Sequence, residues 1–140
     1  MEFIELKLIE KVGNVFSMAM RDRKYNRYQF VKKWCSSETF QSLIEFDETL
    51  CSQAKSYILR MFEKEYEGRL PDIDNDSPLY EDDMNWVGYL LTYWCFEENI
   101  TGKNIMKQYD VYKIPDEYDV LHTLSIKAAI SKIREDDKYE

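Results

Sequence analysis

The stretch Trp-Val-Gly-Tyr-Leu-Leu-Thr-Tyr-Trp-Cys-Phe, residues 86–96, decides the fold, because only Gly88 and Thr92 within it are not apolar. Periodicity alone does not separate a strand from a helix in such a run. Its length and the carboxylates at 82–83 favour a helix, since negative charge complements the positive end of a helix dipole. A helix that is apolar on every side belongs at the centre of a domain. We therefore predict a central helix over residues 82–98.

The aromatic side chains of this helix are expected to supply the core of the domain. Each aromatic side chain can bury roughly 200 Å². At about 25 cal/mol per Å² this is about 5 kcal/mol for each ring, before the entropy of folding is subtracted. The residues predicted to form this core scaffold are Trp86, Gly88, Tyr89, Tyr93 and Trp94.

Helical spacing of apolar residues also extends to both sides of the central helix. The predicted helices contain, in chain order, Ile9 to Ala19, Phe30 to Cys35, Leu50 to Met61, the central segment, a segment from Thr101 to about Tyr109, and Ile126 to Ile133. Ser125 is expected to cap the last of these helices. Residues 110–121 contain a proline and scattered acids, so an extended connection is predicted there.

These elements predict an all-α fold, with residues 1–140 forming a single compact domain of five or six helices around the aromatic-rich helix. Glycine and proline end the third helix, so residues 68–80 are predicted to form an acidic connector. The acidic tail, residues 135–140, is expected to fray. A chain of 140 residues has the length of one domain.

Composition favours a cytoplasmic protein that binds other proteins. No run approaches the roughly 20 apolar residues of a membrane span, and the three widely spaced cysteines suggest reduced thiols. The sequence therefore predicts neither a membrane span nor a signal peptide. The net charge of −8 divides unevenly, since residues 1–36 carry eight basic and four acidic side chains and the remainder carries eleven and twenty-three. A polarised, mainly acidic chain suits a protein partner better than a polyanion.

The connector and the residues after it resemble a calcium-binding loop. Asp72, Asp74, Asp76 and Asp83 match the first, third, fifth and twelfth ligand positions of an EF-hand. Ser77 stands where such loops need glycine, and a proline follows it. A solvated connector, with Ser77 capping the next helix and proline at its first position, fits this pattern better, and we predict no metal and no cofactor.

A basic cluster at residues 21–33 supports an alternative, nucleic-acid-binding interpretation. Six cations alternate there with aromatic residues, a composition that can hold phosphates while a ring stacks on a base. The candidate contacts are Arg21, Arg23, Lys24 and Arg27. A charged turn between two helices explains the same residues, and the acidic remainder would repel nucleic acid.

Enzymatic chemistry has little support in this chain. His122 is the single histidine, and no spacing brings it to Cys35, Cys51 or Cys95 as a base for a thiolate. A structural histidine between helices is the favoured interpretation. Glycine-rich phosphate loops, nucleophile-elbow motifs and metal-spaced Cys/His sets are absent from the sequence. We predict that the protein is not an enzyme.

The segment Tyr-Glu-Asp-Asp-Met-Asn-Trp-Val-Gly-Tyr, residues 80–89, followed by Tyr93 and Trp94, resembles the signature of a small, uncharacterised bacterial family. Its usual pattern is Tyr-Ser-Glu-Asp, then Trp-Ile-Gly-Tyr, then Tyr-Arg-Tyr-Trp. Weaker similarity extends over residues 28–133, including the short helix after Thr101 and His-Thr-Leu-Ser at 122–125. Thr92 stands where the family commonly has arginine, and Leu91 replaces a tyrosine.

The resemblance implies an antitoxin-like protein, since such proteins are encoded beside toxin-like proteins that resemble ADP-ribosyltransferases. It implies a function by direct contact, in which a helical protein covers the toxin and blocks its active site. An acidic surface could fill a cofactor groove that is positively charged. The candidate partner-binding residues are Asp72, Asp74, Asp76, Tyr80 and Tyr112. The alternatives are the DNA-binding regulator described above and a structural or adaptor protein of a mobile element.

Overall fold

Nine α-helices make up the part of the chain that the computed structural model describes, residues 1–137. They are α1 (Phe3–Met18), α2 (Arg27–Ser36), α3 (Glu38–Ile44), α4 (Glu48–Cys51), α5 (Lys55–Glu65), α6 (Glu81–Glu98), α7 (Gly102–Gln108), α8 (Tyr118–Leu121) and α9 (Ile126–Asp137). A π-helical segment follows α1 (Ala19–Arg23), and 3-10 helices precede α6 (Ser77–Tyr80) and α8 (Val111–Glu117). The predicted all-α fold is confirmed, but the predicted number of five or six helices is wrong. No helix among these residues is long and apolar enough to cross a membrane.

Short helices account for the difference in number. Ser37 starts α3 by accepting a hydrogen bond from Phe40 N at 3.0 Å, and Asp47 starts α4 in the same way. The predicted third helix from Leu50 to Met61 is two helices, α4 and α5, separated by residues 52–54. Helices of four to seven residues bury too few side chains to leave a clear periodic pattern in the sequence.

Two further expectations concern the C-terminal third of the chain. Residues 110–121 are helical instead of extended, because Asp110 accepts a hydrogen bond from Tyr112 N and starts a 3-10 helix that leads into α8. The proline lies within this 3-10 helix. Ser125 caps α9 as predicted, with its Oγ accepting from Ala128 N at 3.2 Å. The helix continues through Asp137, past the predicted start of fraying, and residues 138–140 of the predicted tail lie outside the described residues.

Helix α6 pairs lengthwise with α1, and this pair forms the centre of the fold. Gly88 makes the close approach possible, since a Cβ there would lie 2.8 Å from Cγ of Phe16. The Phe16 ring then contacts rings of α2, with centroids 4.9 Å from Phe30 and 5.5 Å from Trp34. Phe62 of α5 completes this cluster at 5.1 Å from Phe30. The aromatic core thus lies mainly between α1, α2 and α5.

The rings of α6 are less buried than a helix apolar on every side would require. Trp94 and Gly88 are buried, whereas Trp86, Tyr89 and Tyr93 are half-buried. Tyr89 and Tyr93 stack on each other on one side of α6. Tyrosine tolerates this position because its ring is apolar and its hydroxyl can remain in water. The core-scaffold role expected of these residues therefore holds in full only for Trp94 and Gly88.

Candidate functional site

The predicted acidic connector packs against the predicted basic cluster, so the two candidate sites of the sequence meet in space. The chain turns sharply after the π-helical segment, where Lys24 has a left-handed φ of 57°. Asn26 N then donates to Asp72 O at 2.7 Å, and Asp74 N donates to Lys24 O at 2.7 Å. Between these bonds, Tyr25 and Ile73 form an antiparallel bridge. The backbone of the connector is therefore held against the basic cluster by hydrogen bonds.

Side chains reinforce this attachment. Gln29 donates from Nε2 to Asp72 Oδ2 at 2.9 Å and accepts from Asp72 N at 2.7 Å, so the two residues form a closed pair. Ser77 is buried, and its hydroxyl donates to the carbonyl of Tyr25. We call the paired segments 24–26 and 72–74 the junction. The predicted capping role of Ser77 is wrong, because its hydroxyl bonds to the Tyr25 carbonyl at this junction. The following proline does occupy the first turn of the 3-10 helix, as predicted.

The carboxylates of the connector do not converge on a cation position. Asp72 is paired with Gln29, and Asp74 accepts from Asp76 N at 3.0 Å within the connector itself. Within the described part of the chain, no group of three or more His, Cys, Asp or Glu residues could hold a metal ion. The resemblance to a calcium loop is therefore one of sequence spacing alone.

Apolar side chains project from the same connector, and the sequence analysis did not select them. Ile73 is 63% exposed and Leu79 is 78% exposed, with Leu70 also exposed. Exposed carboxylates of Asp72 and Asp76 lie beside them along the chain. We call the side chains of Leu70, Asp72, Ile73, Asp76 and Leu79 the connector face. Exposed apolar groups can contribute to a surface that binds another protein where they form a contiguous patch.

The two tyrosines predicted to bind a partner lie at the edges of this region. The Tyr80 ring is half-buried beneath the Arg27 guanidinium, whose Cζ lies 3.6 Å from the ring centroid. Tyr112 is 48% exposed and stacks on Tyr28 with centroids 5.1 Å apart. Tyr112 is therefore available to a partner, whereas Arg27 covers one side of Tyr80.

Most cations proposed for nucleic-acid binding are paired within the protein. Arg21 contacts Asp22 at 3.0 Å and Glu81 at 3.2 Å, and Arg23 contacts Glu63 at 2.9 Å. Arg27 is largely buried and lies 3.6 Å from Asp116. Lys24 alone among the four is exposed with no carboxylate within ion-pair distance in the described region. Local pairing lowers the positive potential that these arginines present to a phosphate backbone.

Arg23, Tyr25 and Glu63 form a compact network under the junction. The Tyr25 hydroxyl donates to the same carboxylate oxygen of Glu63 that Arg23 contacts. Burial first, and then the hydrogen bond to Glu63, raise the pKa of the Tyr25 hydroxyl. The phenol therefore keeps its proton at neutral pH and serves as a fixed donor that positions the turn.

The three cysteines are buried or half-buried, whereas the histidine is exposed. Burial raises the pKa of the Cys35 thiol to about 12 and also raises that of Cys95 well above its usual value. Burial is also the main cause of the raised pKa of Cys51, which Lys11 partly offsets. His122 is exposed and contacts Tyr118, with its Nδ1 2.7 Å from the Tyr118 carbonyl oxygen. This histidine lies between α8 and α9 in the chain, in line with the predicted position between helices, and its side chain is exposed.

Burial affects one further carboxylate, at the start of α6. Burial, followed by the neighbouring Asp119, raises the pKa of Asp83. Trp86, one turn later, packs edge-on against Tyr118, and its indole nitrogen has no hydrogen-bond partner among the described residues.

Comparison with known proteins adds no further constraint, since the chain matches no family model, no curated protein and no solved structure.

Proposed function

We propose that this protein is an antitoxin-like binding protein that neutralises a cognate toxin by direct contact through the connector face. The single observation that supports this proposal most is the exposure of Ile73 and Leu79 on a backbone that hydrogen bonds hold in place. Leaving two large apolar side chains in water has no benefit for the isolated protein, whereas burying each in an interface yields about 1.5–3 kcal/mol.

Charge supports the same assignment. The connector face carries Asp72 and Asp76, and the chain beyond residue 36 has an excess of twelve acidic side chains. A toxin that uses an anionic nucleotide cofactor needs a positively charged groove, and an acidic surface is complementary to that groove. Such complementarity can raise the association rate by 10–10³-fold at low salt. The apolar side chains would then supply affinity, and the carboxylates would supply rate and specificity.

Rigidity of the connector matters for this role. A flexible acidic loop would lose conformational entropy when it bound, which weakens the complex. Here, the pairing of residues 72–74 with residues 24–26 fixes the backbone before any partner arrives. The free protein is therefore already in a conformation suited to binding.

Co-expression with the product of the neighbouring gene tests the proposal. We expect the wild-type protein to restore growth to cells that express that toxin, and the two proteins to elute together from a sizing column. Ile73→Ser should weaken both effects. The matched control is Ile4→Ser, because Ile4 is 62% exposed. Ile4 lies in the first turn of α1, about 20 Å along that helix from its C-terminal end, which leads to the segment that pairs with the connector. Toxicity that persists in the presence of the wild-type protein would refute the proposal.

A further inference from the structure

An open groove of about 640 Å³ lies between α2, the residues that follow α5 and the 3-10 helix that contains Tyr112. Its walls include the side chains of Lys32, Lys33, Tyr66, Arg69, Asp72 and Tyr112. The volume falls within the range of about 300–1,000 Å³ that small-molecule sites occupy. The groove shares Leu70 and Asp72 with the connector face, but most of its charged side chains are cations.

Three unpaired cations distinguish this groove on an acidic protein. Lys32, Lys33 and Arg69 form no ion pair with any of the described residues, although the chain has more acidic than basic side chains. The one carboxylate in the wall, Asp72, already accepts a hydrogen bond from Gln29. The wall therefore has a net charge of +2 that the protein does not neutralise.

Tyr66 holds two of these cations on the same wall. Lys33 Nζ lies 5.4 Å and Arg69 Cζ lies 5.2 Å from the centroid of the Tyr66 ring. The ring itself is fixed, since Tyr66 is buried and its hydroxyl donates to the Lys33 carbonyl at 2.8 Å. Both cations therefore lie close to the same ring, and a multiply charged anion that contacted both would reduce the repulsion between them.

Tyr112 adds an aromatic surface to the groove. Its ring stacks on Tyr28, and the residue remains 48% exposed. A planar group of a ligand could therefore stack on Tyr112 while the cations hold the anionic part. Stacking of a base on an aromatic side chain contributes about 1–3 kcal/mol.

We propose that this groove binds a nucleotide, with its phosphates between Lys32, Lys33 and Arg69 and its base on Tyr112. The arginine can hold two phosphate oxygens at once, and the lysines supply point charges. Inorganic phosphate would use the cations but not the tyrosine. The groove shares Leu70 and Asp72 with the connector face, but it takes a different kind of ligand, so nucleotide binding is measured without any toxin present.

Calorimetric titration of the full chain with ATP tests this proposal, with adenosine, inorganic triphosphate and single-stranded oligothymidylate as comparison ligands. We expect ATP to bind with a dissociation constant below about 1 mM at low salt. Arg69→Ala should weaken ATP binding about tenfold, because it removes a charge-assisted contact. The matched control is Arg60→Ala. Arg60 is an exposed arginine that lies beside the ring of Tyr57, as Arg69 lies beside the ring of Tyr66, but it is outside the groove. Tyr112→Leu should weaken ATP binding and leave triphosphate binding unchanged.

Three outcomes would overturn the proposal. The first is the absence of binding heat with ATP at millimolar concentration. The second is a loss of binding in Arg60→Ala as large as that in Arg69→Ala, which would indicate a general charge effect. Binding of oligothymidylate without binding of ATP would instead identify a nucleic-acid surface. Thermal unfolding of each variant establishes that a loss of binding does not arise from a loss of fold.

Discussion

Replacement of Gly88 by alanine tests the contact on which the fold depends. The added Cβ would lie 2.8 Å from Cγ of Phe16 and 3.0 Å from the carbonyl oxygen of Val12. Neither neighbour can retreat easily. The Phe16 ring is buried against Phe30 and Trp34, and the Val12 carbonyl belongs to the backbone of α1. The two helices must therefore move apart, which loosens the packing along both.

The expected loss of stability follows from two opposing effects. Overpacking of a core by one methyl group costs about 1–3 kcal/mol, and the short distances here place Gly88→Ala at the upper end. Alanine in place of glycine within a helix returns about 1 kcal/mol. The net loss should therefore be about 2 kcal/mol. For an m value of about 2 kcal/mol per M, the midpoint of urea unfolding falls by about 1 M.

Urea unfolding followed by tryptophan fluorescence measures this change, and a second variant assigns its cause. Phe16→Leu removes part of the ring that meets the new methyl group. The double variant Phe16→Leu/Gly88→Ala should therefore lose less stability than the sum of the two single changes. If Gly88→Ala unfolds at the wild-type urea concentration, or if the two changes add, the proposed steric contact between α1 and α6 is refuted.

Three further predictions concern the junction and the thiols. Ser77→Ala should lower stability by about 1–2 kcal/mol, because it leaves the buried carbonyl of Tyr25 without its hydrogen-bond donor. It should also accelerate amide hydrogen exchange at Asp72 and Asp74. Unchanged exchange rates would contradict this prediction. Tyr25→Phe should lower stability by about 2 kcal/mol up to pH 10, because the hydrogen bond to Glu63 is present only while the phenol is protonated. Because folding raises the pKa of the Tyr25 hydroxyl, the difference in stability between the wild type and Tyr25→Phe should shrink above pH 10. Thermal unfolding measures this difference, and a constant value up to pH 12 would argue against the hydrogen bond. A thiol reagent at pH 8 should modify Cys51 before Cys35, whose burial raises its pKa to about 12, and equal rates would contradict the described burial.

The sequence was sufficient for the strongest helices, because their burial repeats at the helical period. The boundaries of α6 at Glu81 and Glu98 lie within one residue of the predicted range of 82–98. The cap at Ser125 was also predictable, since hydroxyl residues satisfy the free N–H groups of a first turn. Local chemistry determines both features, so a local pattern reveals them.

The junction between connector and basic turn could not be predicted in this way. The bonds from Asn26 to Asp72 and from Asp74 to Lys24 join segments almost fifty residues apart through backbone atoms, which carry no sequence signal. Ile73 lies within that pairing, and Leu79 lies in the 3-10 helix at the end of the connector. Their apolar character within an acidic stretch was visible in the sequence, but only the fold shows that they face solvent.

The dissociation constant for the proposed toxin partner tests most directly the proposal that this protein acts through its connector face. If Ile73 and Leu79 are buried in the interface, serine at both positions should weaken binding by at least about 3 kcal/mol, or more than a hundredfold. Ile4→Ser, an equally polar change at a similarly exposed site, should leave the constant unchanged. Wild-type affinity in the variant Ile73→Ser/Leu79→Ser would contradict the account.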